Sequence, residues 1–234
     1  MKKSFGFSLA EVLITLGVIG VVAAMTVPTL IQNHQKQVYA TSAKKAVNIV
    51  QNMFKKMQAD EGVFSFLDTE LSSQGNCVHG PENGCEDLYG NPSVHERIIP
   101  KYLKVVKPCA DSDCNIKYQG RNYLRCSNGK CELQLRDNIG ILSEDKGYFY
   151  TGWSGIRGFY TADGMIFYFL NGEQGIIQIY VDVNGEKGPN IHGRDLFGMY
   201  LSPNDNKIIL NVHPSLGNSG ILEYLAGNGW KMDY

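Results

Sequence analysis

The sequence predicts an α+β fold in which a long N-terminal helix packs on a mainly antiparallel C-terminal β-sheet. Three observations carry this prediction. Residues 7–60 hold few helix breakers, short strand-like segments follow residue 131, and most of the 26 glycines lie after Gly62. A helical pattern followed by a run of short, turn-separated strands is typical of α+β proteins.

Composition limits the classes of function. The chain has 234 residues, of which 43% are hydrophobic, enough for one packed domain and an extended element. Its formal net charge of -1 gives no electrostatic footprint for nucleic acid. The sequence contains no P-loop, nucleophile elbow or dinucleotide fingerprint, and its five histidines fall in no metal-ligand spacing. We therefore expect no catalytic site.

The N-terminal segment predicts a membrane span. Residues 12–31 are apolar apart from isolated threonines, glycines and one proline, and they match the roughly 20 residues that a spanning helix needs. Lys2 and Lys3 precede the span, which predicts a cytoplasmic N-terminus. An ordinary secretory signal fits poorly, because the apolar run is too long and no A-x-A-like site follows it.

Glu11 separates a plain signal anchor from a more specific interpretation. A carboxylate beside a spanning segment is expensive in lipid and usually marks a function. The span is preceded by Gly6-Phe7-Ser8-Leu9-Ala10-Glu11. This pattern closely resembles the prepilin signal of the type IV pilin and type II secretion pseudopilin family.

The resemblance implies a set of roles and partners. Prepilin peptidase would cut between Gly6 and Phe7, Phe7 would be N-methylated, and Glu11 would guide assembly. The expected partners are the peptidase, other pilin or pseudopilin subunits, and the inner-membrane assembly platform. The expected location is the bacterial inner membrane, with a periplasmic C-terminal domain and later a place in a filament.

The helix is expected to continue beyond the membrane. Residues 32–60 contain no glycine or proline, and Gly62 is a typical helix terminator. Apolar side chains recur at helical spacing, which predicts one face packed on a globular domain. These are Tyr39, Ala43, Ala46, Val47, Val50, Met53, Phe54 and Met57. The segments so far are a leader (1–6), an assembly helix (7–31) and its amphipathic continuation (32–61).

Residues 62–131 form a cysteine-rich region that we expect to be irregular, ending in a hairpin. Asn128-Gly129 predicts a tight turn that places Cys126 opposite Cys131, within disulfide range. Proximity in sequence then suggests two further pairs, Cys77 with Cys85 and Cys109 with Cys114. The alternative is zinc held by the last four thiolates, which an oxidising compartment disfavours.

One short helix is expected inside this region, over residues 93–103. Ser93 is the predicted N-cap, with Glu96 three residues later. Pro100 predicts that the helix ends early.

Residues 132–234 are expected to form the antiparallel sheet. Five segments rich in Ile, Leu, Phe and Tyr predict strands, and the short connections between them favour antiparallel pairing. The segments are 132–136, 165–170, 176–183, 196–201 and 207–212. A long helix against such a sheet is also the architecture that the pilin resemblance implies.

The loop 182–195 is a candidate calcium site. Asp182, Asn184, Asn190 and Asp195 place oxygen ligands along a glycine-rich turn. The stretch resembles one in pseudopilin-like proteins, whose major members carry calcium in a C-terminal loop. No glutamate completes an EF-hand pattern, and turns in which Asn and Asp bond their own backbone offer an alternative.

Together these features predict a structural subunit of a type IV pilus or a type II secretion pseudopilus. The alternative is a membrane-tethered minor pilin whose head acts in adhesion or in binding DNA or a surface.

Overall fold

The structure is a computed structural model of the chain. The described residues are 8–75, 92–108, 122–127, 130–135, 142–143, 148–149, 156–171, 176–185, 187–188, 190–202, 206–210 and 220–234. The helices are α1 (Leu9–Glu61), α2 (Glu70–Gly75), α3 (Pro92–Tyr102) and α4 (Ile221–Gly227), with a 3-10 helix, η1, at Phe66–Asp68. The strands are β1 (Val105–Pro108), β2 (Asn122–Ser127), β3 (Lys130–Leu135), β4 (Leu142–Ser143), β5 (Tyr148–Phe149), β6 (Ile156–Thr161), β7 (Ile166–Asn171), β8 (Ile177–Asp182), β9 (Leu196–Ser202) and β10 (Lys207–Ile209).

Helix α1 confirms the predicted long N-terminal helix. It ends at Glu61, directly before Gly62, the residue that was predicted to terminate it. Gly62 adopts a φ of 67°, a left-handed conformation that glycine takes without a Cβ penalty. The Val63 N–H donates to the carbonyl of Gln58 (3.0 Å), and the Gly62 N–H donates to that of Ala59 (3.3 Å). This pair of bonds is a Schellman motif, which satisfies the last carbonyls of the helix.

The chain divides into two units, residues 1–38 and residues 39–234. In the first unit, the described residues form the N-terminal part of α1. In the second unit, the rest of α1 begins a globular α+β domain.

A six-stranded antiparallel sheet is the centre of the second unit. Its strand order is β1-β6-β7-β8-β9-β10, and every neighbouring pair is antiparallel. Strands β7, β8 and β9 run as a meander, with Tyr168 opposite Tyr180 and Tyr180 opposite Gly198. The helix followed by an antiparallel sheet is a pilin-like layout and confirms the predicted α+β class.

The core of the globular unit joins α1 to the sheet and to the short helices. All eight α1 side chains of the predicted apolar face are buried. They share one hydrophobic cluster with side chains from several strands and from α3 and α4. The sheet contributes Phe159, Phe167, Phe169, Ile179, Val181, Phe197 and Met199 to this cluster. The predicted packing face of the helix is thus confirmed.

The 62–131 region is more ordered than expected, since it holds η1, α2, α3 and β1. The predicted N-cap at Ser93 was wrong, because α3 already begins at Pro92, and proline is well suited to a first helical position. The predicted early stop at Pro100 was also wrong. The helix runs to Tyr102, and the Leu103 N–H still bonds the Ile99 carbonyl at 2.9 Å.

Burial explains why α3 tolerates its proline. A proline inside a helix removes one backbone bond, whereas packing of an apolar face supplies most of the stability of a short helix. Val94, Ile98, Ile99 and Leu103 are all buried in the common core.

Several elements of the globular unit were not predicted, among them β1, β6 and α4. Strand β1 lies at one edge of the sheet and pairs with β6. Arg157 and Gly158 in β6 interrupt the alternation of apolar and polar residues by which a strand is predicted. Helix α4 is only seven residues long, too short for a periodic signal. The predicted strands after residue 131 are confirmed with shifted ends, β10 stopping at Ile209 rather than at 212.

Candidate functional site

The start of α1 places Glu11 in a defined hydrogen-bonding arrangement. Glu11 lies in the first turn and Ser8 lies just before it. The Ser8 N–H and the Ser8 hydroxyl both donate to Glu11 Oε2, at 2.8 and 3.0 Å. The Glu11 N–H donates to Ser8 Oγ at 3.3 Å. This reciprocal arrangement is a capping box, and the Ser-x-x-Glu spacing before an apolar run is its sequence signal, which the sequence analysis missed.

The described part of α1 in the first unit exposes an apolar surface. An 18-residue window of the helix has a mean hydropathy of 2.2, none of it is buried, and its length and composition suffice to cross a membrane. Leu13, Ile14, Ile19 and Met25 are among its exposed side chains. A contiguous apolar surface of this kind requires lipid or other protein around it.

The polar side chains within this apolar stretch are satisfied by the helix itself. The Thr15 hydroxyl donates to the Val12 carbonyl at 2.9 Å, and the Thr26 hydroxyl donates to the Val22 carbonyl at 3.0 Å. Backbone bonding of this type removes the cost of an unpaired hydroxyl in an apolar environment. Pro28 lies inside α1, which continues past it. Gly6 and Phe7 lie outside the described residues.

The loop 182–195 in the globular unit brings two carboxylates together. Asp182 ends β8 and is fully buried. Its Oδ1 accepts a bond from the Asn184 N–H at 3.1 Å, whereas its Oδ2 is buried with no hydrogen-bond partner. Burial, followed by the nearby Asp195 charge, raises the pKa of Asp182 to about 8. An uncompensated Asp182 is therefore protonated near neutral pH.

Asp195 holds the far end of the same loop. Its Oδ2 accepts a bond from the Asn190 N–H at 2.8 Å, and its Oδ1 accepts one from the Ile191 N–H at 2.7 Å. Burial raises the pKa of Asp195, although these backbone bonds oppose the shift. Asn190 takes a left-handed φ of 53°, which asparagine tolerates better than most residues. The bonds from one carboxylate to successive N–H groups fix the turn at 190–195.

Asn184 connects the loop to α1. Its Nδ2 lies 3.1 Å from the Gly188 carbonyl and 3.4 Å from the Tyr39 hydroxyl, while its Oδ1 is buried with no hydrogen-bond partner. Burial raises the pKa of Tyr39, and the Asp195 charge adds to this shift. The four predicted residues thus lie in one small region: Asp182, Asn184, Asn190 and Asp195. Tyr39, which was not predicted, also contacts this region.

The donor set of this loop is made of oxygen atoms, the ligands that calcium prefers. Among the described residues, no group of three or more His, Cys, Asp or Glu side chains is arranged to hold a metal ion. Any cation here would therefore rely on the two carboxylates together with amide and backbone carbonyl oxygens.

The predicted hairpin register is confirmed, whereas the cysteine pairs stay predictions. Ser127 lies opposite Lys130 and Cys126 lies opposite Cys131 in the antiparallel β2–β3 pair. Cys131 is disulfide-bonded. The other four cysteines, Cys77, Cys85, Cys109 and Cys114, lie outside the described residues.

Comparison with known proteins identifies the N-terminal signal. A family model described as the prokaryotic N-terminal methylation motif matches residues 1–27, and this is the prepilin signal of type IV pilins and pseudopilins. No curated protein and no solved structure matches the chain.

The motif supports a type IV pilin-like protein that prepilin peptidase processes. It also implies assembly with other pilin subunits and points to a structural protein rather than an enzyme. The apolar helix and the signal together indicate membrane anchoring.

Proposed function

We propose that this protein is a structural subunit of a type IV pilus or a type II secretion pseudopilus, assembled through its N-terminal helix. One observation carries the proposal: the prepilin signal matched at residues 1–27 includes the start of α1, where the helix is apolar and its apolar window is not buried. A plain membrane anchor needs neither the signal nor a carboxylate at its edge.

Processing would proceed in the order that the signal dictates. The basic leader keeps the N-terminus in the cytoplasm, and the globular unit lies on the periplasmic side. Prepilin peptidase cuts between Gly6 and Phe7, and the new Phe7 amino group is methylated. The mature chain remains in the inner membrane until the assembly platform moves it into the filament.

Within the filament, the exposed apolar surface of α1 packs against the same surface of other subunits. Glu11 then sits among apolar side chains, where an unpaired charge is strongly penalised. The amino group of Phe7 from a neighbouring subunit is the partner that we propose for it. Since only one axial offset brings these two groups together, the pair sets the register of the helices.

The test compares the wild-type chain with two variants in the native host. Gly6→Ala blocks cleavage, so the chain stays at its precursor mass in the membrane. Glu11→Ala is cleaved normally and remains in the membrane, but it is lost from the sheared filament or cross-linked pseudopilus fraction. A Glu11→Ala chain that enters filaments at wild-type yield would overturn the register argument.

Deletion of the gene distinguishes the two kinds of filament. Loss of surface fibres in electron micrographs, with normal protein secretion, assigns the chain to a pilus. Loss of secreted exoproteins, with surface fibres unchanged, assigns it to a pseudopilus. A strain in which both are unchanged contradicts the proposed function.

We also propose that the loop 182–195 binds calcium. Asp182 Oδ2 is a buried carboxylate oxygen without a hydrogen-bond partner, and the amide oxygen of Asn184, two residues later, is also buried without one. A divalent cation would compensate the charge that Asp182 and Asp195 cannot otherwise carry together in a buried site.

Calcium titration of the full chain in detergent tests this second proposal. We expect calcium to raise the melting temperature of the wild-type chain and of Asp68→Asn, an exposed control outside the loop. The increase should vanish in Asp182→Asn. An equal increase in Asp182→Asn, or no increase in the wild type at millimolar calcium, would exclude the site.

A further inference from the structure

Helix α1 enters the core of the globular unit beside the loop 182–195. Tyr39 is the first buried residue of α1, and each described residue before it is exposed or half-buried. The Tyr39 hydroxyl lies 3.4 Å from Asn184 Nδ2, and both residues belong to the second unit. The loop therefore contacts α1 at the end of its buried stretch, and the end of a packed helix opens more readily than its middle.

The orientation of the Asn184 amide follows from its neighbours. Its Nδ2 lies 3.1 Å from the Gly188 carbonyl, and a carbonyl oxygen can only accept a hydrogen bond. The nitrogen must therefore face Gly188 and Tyr39, and the amide oxygen must point away from them. That oxygen is buried without a hydrogen-bond partner, and so is Oδ2 of the fully buried Asp182. Two buried oxygens without partners are groups that a cation would satisfy.

Backbone contacts fix the loop on both sides of Asn184. Before it, the Val183 N–H donates to the Asp195 carbonyl at 2.9 Å, which joins the two ends of the loop. After it, Gly185 packs so closely on Gly164 that a Cβ would lie 2.6 Å from the Gly164 carbonyl oxygen. Since the backbone is held at these points, a change at the Asn184 amide acts on the contact with α1 and is not absorbed by movement of the loop.

We propose that calcium bound in the loop strengthens the contact between the loop and α1, and that Tyr39 is the positioning residue of this contact. Coordination through Asn184 Oδ1 withdraws electron density from the amide, which makes its N–H groups stronger hydrogen-bond donors. The hydrogen bond to the Tyr39 hydroxyl, which is long at 3.4 Å, then becomes stronger. In return, Tyr39 holds the amide in the orientation that presents Oδ1 to the cation.

This inference rests on the proposed calcium site and adds a consequence for the assembly helix. Coupling between two sites is reciprocal, so the Tyr39–Asn184 bond must strengthen calcium binding by the factor by which calcium strengthens the bond. The effect is limited to about one hydrogen bond, which corresponds to a factor of roughly three to ten in affinity. Bound calcium should also hold α1 closed against the sheet around Tyr39.

Hydrogen exchange of the full chain in detergent tests the coupling without any substitution. Exchange is followed by mass spectrometry in millimolar calcium and in a chelator. We expect calcium to slow exchange at least about threefold in peptides that cover residues 39–47 of α1, and to leave peptides from α3 unchanged. Equal exchange of the α1 peptides in the two conditions, in a chain that binds calcium, would overturn the proposal.

A conservative substitution tests the role of Tyr39. Tyr39→Phe keeps the buried ring and removes the hydroxyl, so calorimetric titration should show calcium binding roughly three- to tenfold weaker than in the wild type. The protection of α1 by calcium should also disappear. In a chelator, the melting temperature should stay within about 2 °C of the wild type, because Asn184 keeps its bond to the Gly188 carbonyl. A purely structural role of Tyr39 would lower this melting temperature and leave the affinity unchanged.

The matched control is Tyr102→Phe, which also removes one tyrosine hydroxyl from the globular unit. Tyr102 is half-buried and lies beside Lys56, about 25 Å further along α1 than Tyr39. Its calcium affinity and its calcium-dependent protection of α1 should match those of the wild type.

Failure of this inference and failure of the calcium site give different results. If Tyr39→Phe binds calcium as tightly as the wild type and keeps the protection of α1, the coupling is wrong and the site stands. If the wild-type chain binds no calcium at millimolar concentration, both proposals are wrong.

Discussion

The Glu11 carboxylate accepts hydrogen bonds from both the backbone N–H and the hydroxyl of Ser8, at 2.8 and 3.0 Å. These bonds cap the first turn of α1 and hold the carboxylate at the start of the apolar helix. Glu11 therefore combines two roles that mutation can separate. One is a local cap, and the other is the proposed charge partner of a neighbouring subunit.

Conservative substitutions separate the cap from the charge. Ser8→Ala removes the hydroxyl but keeps the backbone donor, so the helix start should lose about 1 kcal/mol of stability and filaments should still form. Glu11→Gln keeps a hydrogen-bond acceptor but loses the charge, so filament yield should fall as far as in Glu11→Ala. Sheared-fraction immunoblots measure both. Normal assembly of Glu11→Gln together with failure of Ser8→Ala would show that the cap, not the charge, is needed.

Gly185 is expected to be sensitive to substitution by any residue with a side chain. A Cβ there would lie 2.6 Å from the Gly164 carbonyl oxygen, and its φ is 66°. Gly185→Ala should therefore destabilise the fold by roughly 2–3 kcal/mol, measured by chemical denaturation. Gly229→Ala is the matched control, because its φ is 62° but its Cβ would meet nothing within 4 Å. Equal losses in the two variants would contradict the close approach.

The buried Asp182 predicts a pH dependence of stability in the presence of a chelator. Burial raises its pKa in the folded chain to about 8, above that of the unfolded chain. The folded state thus favours the protonated carboxyl, and this contribution is complete below pH ~4 and lost as the pH rises through about 8. Asp182→Asn does not titrate. Its melting temperature should exceed that of the wild type by an amount that grows from pH 4 to pH 8, reaching at least about 2 °C.

The pH experiment has an internal control. Burial lowers the pKa of His192 to about 4, so its contribution is present above pH ~6.5 and lost as the pH falls. This change has the opposite sign and is the same in the wild type and in Asp182→Asn, so it cancels in their difference. A difference that stays constant between pH 4 and pH 8 would show that Asp182 does not titrate as described.

The β2–β3 hairpin predicts a disulfide between Cys126 and Cys131, which lie opposite each other in the register. Peptide mapping without reductant should recover the two cysteines in one linked pair. Because the closed loop is very short, its removal by Cys126→Ser with Cys131→Ser should destabilise the fold by only about 2 kcal/mol. Recovery of Cys131 linked to another cysteine would contradict the pairing.

The sequence predicted α1 and its packing face well, because helical periodicity and a terminal glycine are local signals. It also placed β7, β8 and β9 correctly, since their apolar runs are separated by clear turns. It missed β6, whose glycine and arginine interrupt the pattern, and it misjudged α3, where burial of Ile98 and Ile99 outweighs Pro100. Packing between distant segments decided both cases.

The candidate sites also divide into those with a local sequence signal, which were predicted, and those that depend on tertiary structure, which were not. The prepilin signal is a contiguous pattern and was recognised directly from Gly6, Phe7 and Glu11. The backbone arrangement at Phe64, whose side chain is exposed, was not predictable, because one of the two hydrogen bonds to its carbonyl comes from Asn206, more than a hundred residues away in the sequence. The burial of Asp182 and its contact through Asn184 with Tyr39 likewise depend on tertiary structure.

The N-terminal mass of the mature chain tests the central claim most directly. The protein is purified from the membrane and filament fractions of its host, digested, and its N-terminal peptide is sequenced by mass spectrometry. The account predicts a peptide that begins at Phe7, lacks residues 1–6 and carries one methyl group on its amino nitrogen. A chain that retains Met1–Gly6, or that is cut after the apolar span, would contradict it.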